Sequence, residues 1–150
     1  MTAATFRVLA LSLAAFVGIA AGGPRPSLYE RLGGQNGVAN IANALIDRVA
    51  TDPTLGRSFK GSNLGRIKTL LAEQICDLSG GPCHYSGDPM KQVHAGQHIS
   101  EAEFYNMVAT LRDVLKQQHV SQGASNELEG LLAPMKRDIV ESAQPPKNPK

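Results

Sequence analysis

The spacing of apolar residues is the feature that most limits how this chain can fold. The stretch 41–49 places its large apolar side chains on one helical face, and similar stripes recur at 64–78 and 104–115. No stretch alternates apolar and polar residues for long, as a half-buried strand would. The sequence therefore predicts an all-α fold. At 150 residues, the chain can bury one core but is too short for two ordinary domains.

Glycine, proline and capping residues divide this pattern into separate helices. Ser100 and Glu103 form a predicted capping box, in which each side chain accepts a hydrogen bond from the other residue's backbone amide. Ser125 is the predicted cap of the last helix, and a compact corner at 54–62 contains Phe59. We expect helices at about 28–32, 37–50, 64–78, 90–95, 101–118 and 126–140.

The first 22 residues have the layout of a signal peptide. Arg7 precedes an apolar run from Val8 to Ala21, which ends in small residues. The run has about fifteen residues, whereas a helix needs roughly twenty to span a bilayer. We therefore expect residues 1–22 to be cleaved and the mature protein to be exported, to the periplasm or outside the cell, without a membrane span. An uncleaved anchor and a buried N-terminal helix are the alternatives.

The other end of the chain has a different composition. Residues 141–150 are polar and rich in proline. We expect this tail to be disordered, because it has too few apolar side chains to form a core.

Cys76 and Cys83 are the two cysteines of the chain. The turn between them is short enough to bring them together, and in an oxidising compartment they should form a disulfide. Two alternatives remain: packed thiols, or a tetrahedral zinc site that also uses His84 and either His94 or His98. The spacing matches no common zinc finger, so the disulfide is the favoured prediction.

The charge balance and the motifs argue against several classes of function. Lysine and arginine number 15 and aspartate and glutamate 13, with no basic face interleaved with aromatic residues. A nucleic-acid partner is therefore not expected. The sequence has no phosphate-binding loop, serine nucleophile elbow or zinc-protease helix, so it gives no support to common hydrolase chemistry.

Histidine is the residue type with the clearest chemical potential. The chain has four histidines, two of which, His94 and His98, are four residues apart. Such a pair is weak evidence for a metal site, because histidines also occur as core or surface residues without a ligand role. Periodicity and spacing alone leave the role of His94 open.

Five short motifs, in order, carry a resemblance to a known family: LYERLGG at 28–34, SF at 58–59, SGGP at 79–82, YSGDPMKQVHAG at 85–96 and LLAPMKRDIV at 131–140. With them, residues 27–140 resemble the group 1 truncated haemoglobins. The resemblance implies a two-over-two helical sandwich that holds haem b non-covalently. In that family the histidine of an M-K-x-x-H pattern binds the iron on the proximal side, and here that residue is His94. Neutral imidazole is a good ligand for haem iron.

The resemblance also implies a set of residues around the cofactor. Phe59 would pack on the porphyrin, and Tyr85 and Arg66 would reach the propionates, which suit phenol and guanidinium donors. The other residues expected to line the haem pocket are Ile67, Leu71, Met90, Val93, Ile99, Phe104 and Leu132. Taken singly, each of these side chains is more typical of an ordinary core, and only the family resemblance favours contact with haem.

The side of the pocket opposite His94 departs from the family pattern. The best-known members hydrogen-bond bound oxygen with a tyrosine on the second helix and a glutamine or histidine on the distal helix. Here the matching side chains are apolar, and with Leu45 the expected distal pocket comprises Ile46, Ile67, Leu70 and Leu71. A hydrogen bond to a charged group is worth about 1.5 to 3 kcal/mol, so O2 should leave faster without it.

Two polar residues near this pocket have no role that the sequence settles. Gln74, one turn beyond Leu71, is the candidate for a distal hydrogen-bond donor; a surface position and a gas path are the alternatives. His98 is a candidate for contact with a propionate, for replacement of His94 as the ligand, or for a position in solvent.

The function implied by the resemblance is reversible binding of O2, NO or CO. Detoxification of NO would need an external electron donor, since the sequence shows no reductase motif. The alternative is a non-enzymatic sensor of gas or redox state, or an electron carrier.

Overall fold

The computed structural model describes residues 23 and 25–141, and all regular secondary structure in this part of the chain is helical, with no strand. The all-α prediction is confirmed. The α-helices are α1 (Leu28–Arg31), α2 (Gly34–Thr51), α3 (Leu64–Leu78), α4 (Met90–His94), α5 (Glu101–Gln117), α6 (Gln122–Leu132) and α7 (Lys136–Ile139), with 3₁₀ turns at Leu55–Phe59 and Ala133–Met135.

Side-chain caps open several of these helices. The predicted box of Ser100 and Glu103 is present at the start of α5. Ser27 and Glu30 form a second capping box at α1, and the side chain of Asn63 accepts the Arg66 amide at the start of α3. Each cap satisfies a backbone N–H that has no partner within its own helix.

The prediction for the last helix was wrong in two respects. Its cap is Ser121, whose side chain accepts from the Ala124 amide, whereas Ser125 is buried within α6 and its hydroxyl donates to Glu129. The helix also does not run unbroken to residue 140, because Pro134 has no N–H to donate to an earlier carbonyl. The chain passes through a 3₁₀ turn at Pro134 before α7 begins.

Helix α2 is the centre of the packing. It packs most extensively against α3 and next against α5, which in turn packs against α6. Ile41, Ile46 and Val49 of α2 are almost completely buried. Two helix pairs, α2 with α3 and α5 with α6, therefore enclose the core. Helix α2 begins three residues earlier than predicted, directly after Gly33, whose φ of +94° turns the chain sharply away from α1.

A disulfide joins Cys76, near the end of α3, to Cys83 in the loop that leads to α4. The predicted pairing is confirmed. The zinc alternative is wrong, because it requires two free thiolates and both cysteine sulfurs are joined in this bond.

The two predictions for the chain ends concern residues that are not described. The signal peptide falls at 1–22, and nearly all of the expected disordered tail lies beyond residue 141. Among the described residues, no helix combines the length and apolar character needed to cross a membrane.

Candidate functional site

A largely apolar cavity of about 570 Å³ lies between α2 and α3 on one side and α4 and α5 on the other. Its volume falls within the range of roughly 300 to 1,000 Å³ that is typical of small-molecule and cofactor pockets. The 3₁₀ turn Leu55–Phe59 and the segment after α6 also contribute to its walls.

The cavity collects nearly all of the side chains selected from the sequence, although those residues are spread over 88 positions of the chain. The predicted residues that line it are Leu45, Ile46, Phe59, Arg66, Ile67, Leu70, Leu71, Gln74, Tyr85, Met90, Val93, His94, Ile99, Phe104 and Leu132. Met107, Val108, Leu111, Met135 and Ile139, which we did not select, line it too. They lie on helical apolar faces, so their sequence pattern matched that of core residues.

His94 is the last residue of α4, and its side chain is half-buried at the cavity wall. Its Nδ1 atom lies 2.8 Å from the backbone carbonyl oxygen of Met90, one turn earlier. Because a carbonyl oxygen only accepts, Nδ1 carries the ring hydrogen in the neutral imidazole. Nε2 then presents its lone pair, as a metal-ligating nitrogen must.

The wall formed by α2 and α3 is mostly apolar. Ile46 is buried, and Ile67, Leu70 and Leu71 line the cavity from α3. The polar side chains that line the cavity from α3 and its cap include Asn63, Arg66 and Gln74, of which Gln74 is 9% exposed.

The amide of Gln74 is directed at two sulfur atoms. Its Nε2 lies 3.4 Å from the Sδ of Met90 and 3.7 Å from the Sδ of Met135. Both contacts are weak, because a thioether sulfur is a poor acceptor. They place the Gln74 amide at the end of the cavity where α3 meets α4 and the segment after α6.

Arg66 and Tyr85 lie at the rim, as expected, but differ in their contacts. The Arg66 guanidinium is exposed and forms no hydrogen bond or ion pair with any described residue. The Tyr85 hydroxyl donates to the Asp88 carbonyl at 3.0 Å, so its donor is already used. Burial raises the pKa of Tyr85, with a smaller contribution from the charge of Asp88, so the phenol stays protonated.

His98 does not line the cavity. Its side chain is 83% exposed, and its Nδ1 lies 2.8 Å from a carboxylate oxygen of Glu141. Its backbone has a φ of +52°, in the left-handed region that few non-glycine residues adopt. Of the three roles considered for His98, this position corresponds to the one in solvent.

Sequence reasoning missed one ionic contact at the cavity. Arg57 pairs with Glu103, 46 residues later, and the Glu103 side chain is only 10% exposed. The pKa of Glu103 is lowered, first by the hydrogen bond from the Ser100 backbone and then by those from the Ser100 hydroxyl and Arg57. The capping motif identified Glu103, but no local pattern indicated its partner.

The residues present fit a haem group. An apolar cavity receives the porphyrin, a histidine with Nε2 available can bind its iron, and an arginine at the rim suits a carboxylate. Together with the helical fold, this arrangement defines a protein of the globin class.

Comparison with known proteins identifies the family within that class. The sequence profile described as bacterial-like globin matches residues 27–141. The group 1 truncated haemoglobin GlbN of Mycolicibacterium paratuberculosis is 34% identical over 113 residues, which are 75% of this chain and 83% of that protein. The chain therefore belongs to the bacterial-like globins, among the group 1 truncated haemoglobins.

The solved structures agree on the fold. The Fe(III) crystal structure of truncated haemoglobin from Tetrahymena pyriformis superposes with a TM-score of 0.74 at 24% identity, covering 78% of this chain and all of that one. The 2/2 haemoglobin of Synechococcus, crystallised with covalently attached haem, gives a TM-score of 0.71 at 21% identity, covering 77% and 98%. The predicted two-over-two sandwich is confirmed.

Proposed function

We propose that this chain holds haem b in the described cavity through His94 and binds diatomic gases on the side lined by Ile46, Ile67 and Leu71. Membership of the truncated haemoglobins makes the chain a haem protein that binds gases. The observation that carries the residue assignment is the hydrogen bond between His94 Nδ1 and Met90. It leaves Nε2 as the atom that binds iron.

The remaining walls supply contacts with the porphyrin and its carboxylates. Phe59, Val93 and Phe104 line the cavity with apolar surface, which favours burial of the ring. Arg66 has no partner among the described residues and is therefore the side chain best placed to pair with a propionate at the rim. When bound, the haem iron supplies the position at which a gas binds.

The apolar side of the cavity bears on which gas is held. O2 takes on negative charge when it binds to iron, and a hydrogen-bond donor stabilises it more than it stabilises CO or NO. Ile46, Ile67 and Leu71 provide no such donor. We therefore infer that this chain discriminates less in favour of O2, relative to CO and NO, than family members that have such a hydrogen-bond donor.

An absorption spectrum of the purified chain with added haem tests the proposal most directly. We expect a Soret band and a ferrous form that binds O2 and CO reversibly, with fast O2 dissociation in stopped-flow mixing. A chain that folds but takes up no haem would refute it. Slow O2 dissociation would refute the apolar distal side while leaving haem binding intact.

Oxidation of NO to nitrate is the activity we propose to test next. It leaves ferric iron, so repeated turnover needs an electron donor, which a separate protein would supply. One rapid mixing of the oxygenated protein with NO separates the alternatives. Stoichiometric nitrate supports this chemistry, whereas a stable NO complex supports a sensor.

We also propose that the protein works outside the cytoplasm. The disulfide between Cys76 and Cys83 supports this location, because such bonds persist in oxidising compartments. Fractionation of cells that produce the full chain tests it. The proposal fails if the protein remains in the cytoplasm at its full length.

A further inference from the structure

Helix α4 is too short and too exposed to be stable on its own. It has five residues, Met90–His94, and none of them is buried. A helix this short is unstable alone, because so few residues offset the cost of starting it. The direction of the His94 ring therefore depends on the contacts of α4 with α7 and on what holds the chain on either side of α4.

The turn that follows His94 is held by Arg57. The guanidinium donates through Nη1 to the Gln97 carbonyl and through Nη2 to the His98 carbonyl, each at 2.9 Å. Its Nε donates to Glu103 Oε1 at 2.7 Å. One side chain thus binds two successive carbonyls of the turn and a carboxylate of α5, and the planar fork of arginine suits such multiple acceptors.

The other end of this contact is firmly anchored. Glu103 uses its second carboxylate oxygen, Oε2, to accept from the amide and the hydroxyl of Ser100, at 2.8 and 2.7 Å. Arg57 belongs to the 3₁₀ turn that ends at Phe59, a residue of the cavity wall. The side chain therefore links the corner with Phe59, the start of α5 and the turn after His94.

We propose that Arg57 is a positioning residue for His94, which acts by holding the end of α4 at a set place relative to the Phe59 corner. Because His94 is the last residue of α4 and Gln97 donates its amide to the His94 carbonyl at 3.1 Å, movement of the turn moves the ligand. This inference rests on the proposed haem function only for the role of His94.

The test compares Arg57→Gln with Arg112→Gln in the full chain. Arg112 also pairs with a glutamate through Nε and Nη2, but it joins α5 to α6 and does not line the cavity. Arg57→Lys is the third variant, since lysine keeps the charge but lacks the fork. Circular dichroism confirms that each variant is folded.

The first measurement is hydrogen exchange at the Gln97 amide in the haem-free protein. We expect exchange to rise roughly three- to tenfold in Arg57→Gln, by less in Arg57→Lys, and by under about twofold in Arg112→Gln. The second is the iron–histidine stretching band of the ferrous haem protein, which we expect to shift or broaden only when Arg57 is changed.

Equal exchange rates at Gln97 in the Arg57→Gln and Arg112→Gln proteins would overturn the proposal, as would an unchanged iron–histidine band. If Arg57→Gln does not fold, Arg57→Lys decides by the same two readouts. A wild-type chain that takes up no haem refutes the proposed function, and the Gln97 exchange rates then still show whether Arg57 holds the turn.

Discussion

The Nδ1 atom of His94 lies 2.8 Å from the carbonyl oxygen of Met90, within the same short helix. This contact selects the ring tautomer, because only a protonated Nδ1 can donate to a carbonyl oxygen. Met90 makes a second contact: its sulfur atom lies next to the Gln74 amide on the opposite wall. Met90 therefore contacts both the His94 ring and the amide of Gln74 on α3.

Replacing His94 by alanine should abolish the spectrum of a haem held by histidine while the fold remains. Loss of a hydrogen-bonding partner behind a metal ligand already costs about 10- to 100-fold in affinity, so loss of the ligand itself should cost at least as much. Absorption spectroscopy and the rate of haem transfer to an acceptor protein measure the effect. His119→Asn, at an exposed residue that does not line the cavity, is the control. A five-coordinate histidine spectrum in His94→Ala would exclude His94 as the ligand.

A tyrosine in place of Ile46 should slow O2 dissociation. The new hydroxyl would supply the hydrogen bond that this side of the cavity lacks, worth roughly ten- to a hundredfold in rate if it donates to bound O2. CO dissociation should change much less. Ile46→Phe adds a ring of similar size without the hydroxyl and is the matched control. Equal O2 rates in the two variants, measured by stopped flow, would show that a hydroxyl at 46 does not reach the ligand.

Gln74→Leu should leave the haem-free protein as stable as the wild type or stabilise it by about 1 kcal/mol, because the buried amide has only weak sulfur acceptors. Urea unfolding measures the difference. Gln74→Glu, which buries a charge instead, should be clearly destabilising. Marked destabilisation of Gln74→Leu would mean that the contacts with Met90 and Met135 are stronger than their chemistry indicates.

Breaking the disulfide should lower the free energy of unfolding by about 2.5 kcal/mol, the chain-entropy value for so short a loop. The Cys76→Ala, Cys83→Ala double variant tests this in urea. Alanine suits the site because Cys76 is 2% exposed. The wild type in reductant is the comparison, and it should lose a similar amount. No loss in either case would indicate that the loop is ordered equally well without the bond.

Glu103→Gln should weaken the dependence of stability on pH in acid. The folded-state pKa of Glu103 is lowered, first by the Ser100 backbone hydrogen bond. The unfolded chain therefore binds more protons as pH falls below about 4.3, and the stabilisation by Glu103, full above that pH, is lost as pH passes through the lower folded value.

Urea midpoints between about pH 2 and 6 measure this effect. Asp113→Asn, at an exposed carboxylate of the same helix that has no ion pair in the described part of the chain, is the control. If stability falls as steeply with decreasing pH in Glu103→Gln as in Asp113→Asn, Glu103 does not contribute to the pH dependence.

Helix α3 is an element whose bounds could be predicted from the local sequence pattern. Its observed bounds, Leu64–Leu78, equal the predicted ones, because a long apolar stripe between a capping residue and a glycine pair leaves little choice. The last helix shows the limit. Ser121 and Ser125 are both good caps by residue type, and the burial of Ser125 against the rest of the fold decides between them.

In the candidate site, too, some features could be predicted from the sequence and others could not. The motif around His94 and the apolar stripes of α2 and α3 are local features, and together with the family resemblance they were sufficient to select about half of the residues that line the cavity. They could not identify the partners of Arg57, Gln74 or His98. Each of those partners lies at least sixteen residues away along the chain. Periodicity reports which face of a helix is buried, whereas pairing between distant polar groups depends on how the helices pack, and only the tertiary structure contains that information.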